Sequence, residues 1–257
     1  MKKSTLLLSA LAVLFGACSR SGGSNDGSKL HRIMADGKLS HEFEYNLNGT
    51  IAKQAMYGIQ ASKFFEVTYF YDSSNRLVKT ESYSDVSSSI SAQQLVYHYT
   101  DYKYGAEGKL SEETAYTKKG NAYEFASKTI LTYDAFGRVV SRLQVSIDNK
   151  PFNLFKYEYD ENGNVVVQES YQYDLNAPRL GSRSTYQHDN KKNPYFNLSV
   201  MPFSVNRNNI TRHVFTNYNV VPAATVTTET IYKSYNAAGY PVEVIEYGTN
   251  NYIYEYK

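Results

Sequence analysis

The sequence predicts an all-β protein: a large antiparallel meander of about 12–14 strands, curled into a barrel or half-barrel-like sheet. Three observations lead there. Tyrosine is the compositional outlier, with 26 Tyr and 12 Phe but no Trp, and such rings suit a pleated, half-buried surface. Long stretches alternate between apolar and polar side chains. A turn motif recurs at hairpin spacing.

The alternation is plain in "FEVTYFYD", where Phe65, Val67, Tyr69 and Tyr71 share one face against Glu66, Thr68 and Asp72, with Phe70 the exception. In "NVVVQESYQYD", Val165, Val167, Tyr171 and Tyr173 oppose Gln168, Ser170 and Gln172, and "VTTETIYKSY" alternates likewise. A period of two is the signature of a strand with two unlike faces. No window beyond the N-terminal leader carries a helical period of useful length.

The turn motif reads "YNLNGTI" at Tyr45, "YDSSNRL" at Tyr71, "YGAEGKL" at Tyr104, "YDAFGRV" at Tyr133, "YDENGNV" at Tyr159 and "YNAAGYPV" at Tyr235, with a degenerate "HDNKKNP" at His188. Its glycine position is filled by Gly49, Asn75, Gly108, Gly137, Gly163 and Gly239, the first five separated by 26 to 33 residues. That spacing suits one hairpin per unit. Asp or Asn opens a type I turn by bonding its own backbone, and Gly, or Asn75 in its place, closes it in the left-handed region.

Two lysines, Lys2 and Lys3, precede the 12-residue apolar run "LLLSALAVLFGA", which ends at Ala17 before the only cysteine, Cys18. The run is too short to span a bilayer, so residues 1–17 are expected to be a signal peptide. Gly16 and Ala17 before Cys18, followed by "SRSGGSNDGS", resemble the lipobox and tether of bacterial lipoproteins. The resemblance implies a lipid on Cys18 and a flexible tether over 18–29; the remaining length, residues 30–257, suits a single β domain. An ordinary secreted protein with an incidental thiol is the alternative.

Loss of residues 1–17 leaves 25 Lys+Arg against 25 Asp+Glu. A balanced chain without a basic stripe lacks the footprint of a nucleic-acid binder. With one cysteine, no disulfide forms within a copy, and core and ladder must hold the fold.

From about 188 to 224 the rhythm lapses. Pro194, Pro202 and Pro222 fall here, and an irregular insertion is expected. Its apolar residues Tyr195, Phe196, Leu198, Met201 and Phe203 either plug an end of the sheet or line a binding site, for which Tyr195, Phe196, Arg207 and His213 are the candidates. The Ser-rich "SYSDVSSSISAQQ" reads as a polar loop.

No cofactor, metal or catalytic residue is expected. The five histidines, at 31, 41, 98, 188 and 213, occur singly, whereas a zinc site needs clustered ligands. No G-x-S-x-G occurs. Glu112 and Glu113 are adjacent, so they face opposite sides of a strand. "DENGN" lacks the spacing of a calcium loop. Tyrosine rings either pack against cross-strand neighbours or stack on a ligand.

The "YD…GR(L/V)" element resembles the YD repeats of Rhs-type proteins, most closely in "YDAFGRV". From lipobox through tyrosine hairpins, with "DNKKNP" paired to a later "NNIT", the chain resembles Bacteroidetes lipoproteins that carry a porin-like domain of unknown function. The resemblance implies shape and an outer-membrane location in the cell envelope. The expected role is a non-catalytic binding or scaffold module, held to the membrane by lipid, for a glycan, a peptide or a partner protein. The alternatives are an envelope hydrolase with an unrecognised site and a transmembrane β-barrel.

Overall fold

The computed structural model describes residues 29–58, 62–85, 95–174, 177–198, 206–246 and 248–257. The signal peptide, Cys18, most of the tether, residues 86–94 of the Ser-rich loop, Met201 and Phe203 lie outside the described residues. The sixteen strands are β1 (Leu30–Ala35), β2 (Lys38–Tyr45), β3 (Ile51–Tyr57), β4 (Lys63–Tyr71), β5 (Leu77–Asp85), β6 (Leu95–Tyr104), β7 (Leu110–Lys119), β8 (Ala122–Tyr133), β9 (Val139–Val145), β10 (Pro151–Tyr159), β11 (Val165–Asp174), β12 (Ala177–Lys192), β13 (Asn208–Asn217), β14 (Ala224–Tyr235), β15 (Pro241–Glu246) and β16 (Asn250–Tyr256). Each pairs antiparallel with its neighbours in the chain. β1 also pairs with β16, from Leu30↔Tyr256 to Ala35↔Tyr252, so the sheet is a closed barrel.

Sixteen strands exceed the 12–14 expected, for identifiable reasons. The β1–β2 hairpin turns on Asp36 and Gly37, both at positive φ (48° and 77°), the Asp-Gly two-residue turn rather than the tyrosine motif. The interval 188–224 is also more regular than its prolines imply. β12 runs on to Lys192, and the Asn- and Thr-rich β13 pairs with both β12 and β14. Pairing on two sides overrides weak local propensity. The irregular part that is described reduces to 193–198, 206–207 and 218–223.

Within "YDAFGRV", Gly137 N donates to Asp134 O (3.0 Å) and Asp134 N to Arg138 O (2.9 Å). The Asp134 carboxylate accepts from the backbone N–H of Phe136 and Arg138 (2.9 Å each) and from Arg138 Nε (2.7 Å). Asp72 repeats the pattern with Ser74 and Arg76. The basic residue after the glycine is therefore part of the turn. Asn75, Gly108, Gly137, Gly163 and Gly239 all have positive φ, between 60° and 84°.

The tyrosine before the turn has a separate task in five of the repeats, shared by Tyr256 at the end of β16, whereas Tyr235 bonds the Asp189 carboxylate. Tyr45 donates its hydroxyl to the carbonyl of Leu30 (2.6 Å), Tyr71 to Ile51 (2.8 Å), Tyr104 to Leu77 (2.9 Å), Tyr133 to Leu110 (2.5 Å), Tyr159 to Val139 (2.7 Å) and Tyr256 to Pro241 (2.6 Å). In every case the last residue of an even-numbered strand reaches back to the first residue of the strand before it. These bonds form a ladder around one rim, which also carries the repeat turns and the entry and exit of the barrel at Lys29 and Lys257.

The rings of this ladder pack against the core. One cluster joins Leu30, Ile33, Phe43, Ile51, Leu198, Val244 and Tyr254, and a second joins Leu77, Tyr102, Leu110, Leu131, Val139 and Tyr157. Cross-strand partners place both on the inner face. The opposite parity forms the outer wall, laced by ion pairs including Arg32–Glu42 (2.9 Å), Lys53–Glu66 (3.5 Å), Lys103–Glu112 (2.8 Å) and Lys233–Glu243 (3.0 Å). One ion pair turns inward. Burial pushes the Glu113 carboxyl up even with Arg142 3.5 Å away.

Two outcomes follow from turns and ladder. A Cβ at Gly108 would meet nothing within 4 Å, so Gly108→Ala tests backbone conformation alone and is expected to cost about 1 kcal/mol in denaturant unfolding. Burial raises Tyr69, Tyr133 and Tyr159 to about 12, while unfolded tyrosine titrates near pH 10. The folded state holds these protons more tightly, so their stabilisation is complete below about pH 10 and is lost as pH rises toward 12. Absorbance at 295 nm against circular dichroism should show these rings ionising together with unfolding.

Candidate functional site

The four residues singled out in the irregular stretch fall in three places, with only Phe196 and Arg207 together. A short 3-10 helix, Pro194–Asn197, starts on Asn193, whose side chain accepts from Tyr195 N (3.0 Å). One turn of such a helix sends successive side chains in different directions. Tyr195 goes inward, edge-on to Tyr254 at 6.2 Å, and burial raises its hydroxyl to about 12. Leu198 joins the same core cluster at 9% exposure. Phe196 instead lies on the surface at 45% exposure, with the Arg207 guanidinium 6.0 Å from its ring. His213 sits apart on β13, stacked on Tyr186 (4.8 Å) and hydrogen-bonded to Ser184 (3.0 Å).

An asparagine and aspartate network pins this strap. Asp189 accepts from Asn209 N (3.1 Å) and Nδ2 (2.9 Å), and Asn193 Nδ2 donates to Asn206 O (2.9 Å). Asn206 Oδ1 accepts from Val165 N (2.7 Å), while Asn164 and Asn208 exchange two bonds of 3.0 Å. The paired "DNKKNP" and "NNIT" segments are thus two halves of one clasp. His188 stands where the other copies have tyrosine; its Nε2 is buried without a hydrogen-bond partner, and burial lowers its pKa. Beside the clasp, Phe136, Arg138, Tyr159, Gly163 and Arg207 border a shallow cleft of about 460 Å³. Its lining also includes Asp160 and Glu161, which leaves no single sign of charge to select a ligand.

The stronger site is on the outer wall, among aromatic residues that belong to no repeat motif. Tyr83, Tyr97, Tyr99, Tyr116, Tyr123 and Phe125 lie on one face across β5 to β8, as a four-ring cluster around Tyr99 and a neighbouring Tyr83–Tyr97 pair. Tyr99 stacks on Tyr116 (4.4 Å, 17°) and meets Tyr123 edge-on (4.8 Å, 74°). Tyr116 meets Phe125 edge-on (6.2 Å), and Tyr83 lies 6.1 Å from Tyr97. Lys79 lies 4.9 Å from the Tyr99 ring and Lys118 5.2 Å from the Tyr97 ring. Tyr97 and Tyr123 are the most open of the six, at 39% and 43% exposure.

Register explains the patch. Tyr83↔Tyr97 and Glu81↔Tyr99 align β5 with β6, and Tyr99↔Tyr116 aligns β6 with β7. The irregularity between Ala115 and Tyr116 then brings Phe125 opposite Tyr116 and Tyr123 opposite Lys118. The inner-face partners of these strands, such as Ser82↔His98↔Thr117, are polar and smaller. The wall is therefore inverted here: its larger rings point outward. A cluster of exposed aromatic rings bordered by charge is a surface on which flat apolar faces can stack.

Among the described residues, no three His, Cys, Asp or Glu side chains are grouped to hold a metal, and no helix is long and apolar enough to cross a membrane. No family model and no curated protein matches the chain. Among solved structures the barrel resembles a porin-like protein from Bacteroides vulgatus ATCC 8482 (TM-score 0.46, 11% identity, 89% of this chain and 98% of that one). It also resembles a porin-like protein from Bacteroides uniformis ATCC 8492 (TM-score 0.41, 11% identity, 89% and 98%). A protein of unknown function from Bacteroides fragilis NCTC 9343 aligns over 50% of this chain and 96% of its own (TM-score 0.37, 16% identity).

The split between Leu198 and Phe196 is testable. Leu198→Ala should lower stability by about 3 kcal/mol, as for a truncated core leucine. Phe196→Ala should cost less than about 1 kcal/mol. Denaturant midpoints of both variants check the assignment.

Proposed function

We propose that this protein is a non-catalytic, lipid-anchored module of the bacterial cell envelope that binds glycan on the outer wall of its barrel. The aromatic patch around Tyr99 carries the reading. Sugar rings present an apolar face to an aromatic ring and hydroxyls at their edges. Tyr97, Tyr99 and Tyr123 supply the rings, while Lys79, Glu81, Asp101 and Lys118 lie within reach of the edges as donors and acceptors. An extended peptide or a partner protein could use the same rings.

The lipid anchor rests on the sequence around Cys18. The ion pairs of the outer wall favour an anchored barrel over a spanning one, because Arg or Lys facing lipid at the bilayer midplane costs about 2–4 kcal/mol each.

The expected outcome has two parts. Cys18→Ser should abolish fatty-acid labelling and release the protein from membranes with its fold unchanged. On a glycan and peptide array, the mature domain should give glycan signals that Tyr97→Ala and Tyr123→Ala each reduce at least about tenfold, with unfolding midpoints near wild type. Glycan signals indifferent to both substitutions would remove the patch as the site, and signals on peptides alone would replace glycan by peptide.

A further inference from the structure

The turn rim is electrostatically lopsided. On one side its cations are spent within their own turns: Arg76 pairs with Asp72 (2.8 Å), Lys109 with Glu107 (3.1 Å) and Arg138 with Asp134 (2.7 Å). On the other side Lys191, Lys192, Lys257 and Lys29 make no ion pair among the described residues.

These unpaired cations follow a continuous arc of rings and backbone. Lys191 lies 5.9 Å from the Tyr235 ring and Lys192 5.3 Å from the Tyr240 ring, which itself packs 5.7 Å from Tyr256. Lys257 and Lys29 exchange backbone hydrogen bonds (2.9 and 3.3 Å), and both side chains cover the Tyr45 ring, at 5.4 and 5.6 Å. The adjoining β2–β3 turn has no charged residue, and Leu47 at its crest is fully exposed. Asp189, two residues before Lys191 in the chain, is engaged by Asn209 and Tyr235.

We infer that this arc docks on an anionic lipid surface, with the lysines at the phosphates and Leu47 at the level of the headgroups. The inference rests on the lipid-anchored reading for its biological setting, and two features choose lipid as the occupant. The chain that leads to Cys18 enters the barrel at Lys29, in the middle of the arc, so an anchor there presents this side of the rim first. Residues 18–28 can span at most about 40 Å when extended, which confines the barrel near the membrane without fixing its orientation. Fixing the orientation requires surface contacts, and clustered lysines beside an exposed apolar side chain supply them. The aromatic patch lies toward the opposite rim, beside the β7–β8 turn, and docking through the arc directs it outward.

Vesicle sedimentation tests the inference on the mature chain carrying Cys18→Ser, so that no lipid contributes. Vesicles with about 30% phosphatidylglycerol should retain at least about tenfold more protein than pure phosphatidylcholine, with retention falling as salt is raised. Lys29→Gln, Lys191→Gln, Lys192→Gln and Lys257→Gln combined should abolish the difference, with circular dichroism and the unfolding midpoint unchanged. The same number of outer-wall substitutions, Lys53→Gln, Lys79→Gln, Lys103→Gln and Lys233→Gln, should preserve it. Equal retention on both vesicle types, equal loss in both variants, or binding to soluble heparin without binding to vesicles would overturn the docking. Fatty-acid labelling of the wild type reports on the anchor separately, so the two readings can fail independently.

Discussion

The barrel depends on one repeated hydrogen bond, from the hydroxyl of a tyrosine that ends one strand to the carbonyl that opens the strand before it. That carbonyl lies at the start of a strand, where the ladder is just beginning and a buried acceptor would otherwise be short of a donor. A neutral hydrogen bond adds only about 1 kcal/mol net, but an unpaired buried acceptor costs about 1–3 kcal/mol. The tyrosine meets that need and places its ring against the core in the same gesture. Phenylalanine supplies only the ring and serine only the hydroxyl, which accounts for the abundance of tyrosine at these positions.

Where the ladder is interrupted, other chemistry takes over. At His188 the motif lacks its tyrosine, and the chain there leaves the hairpin pattern for a strap. Side-chain amides of Asn164, Asn206 and Asn208 bond the backbone and one another, and that of Asn209 bonds the Asp189 carboxylate, holding Tyr195 and Leu198 inside the rim. The strap therefore belongs to the same rim closure as the tyrosines, achieved with amides instead of phenols. Its exposed members, Phe196 and Arg207, are what remains after the inward positions are filled.

Much of the fold was legible. Alternation, hairpin spacing and the Asp-x-x-Gly turns gave an antiparallel meander because each is a local property, carried by residues within a few positions of one another. The function of Tyr45 or Tyr159 was not legible, since each bonds a carbonyl 15 to 20 positions away and the bond depends on register. The count of strands fell short where Asp36-Gly37 made a different turn and where asparagines hid β13. The outer patch was the least visible. Tyr99, Tyr116 and Tyr123 share a face only after two strand pairings and one irregular register step are known, and parity along a single strand does not carry across a bulge. For the strap, the apolar residues announced a plug, but only the direction of a single helical turn separates Tyr195 from Phe196.

The seam between β1 and β16 has a consequence for how the molecule comes to exist. Every other strand pair joins neighbours in the chain and can form as soon as both are present, the kind of short-range contact that speeds folding. The seam joins Leu30 to Tyr256 and must wait for the whole sheet. Until then the curled sheet has two open edges, each already carrying its own tyrosine bond, Tyr45 to Leu30 on one side and Tyr256 to Pro241 on the other. Those edges are equally suited to a second copy of the same chain, in which β1 of one molecule would meet β16 of another. Closure within one chain and exchange between chains thus compete for the same edges, and dilution favours the monomeric ring.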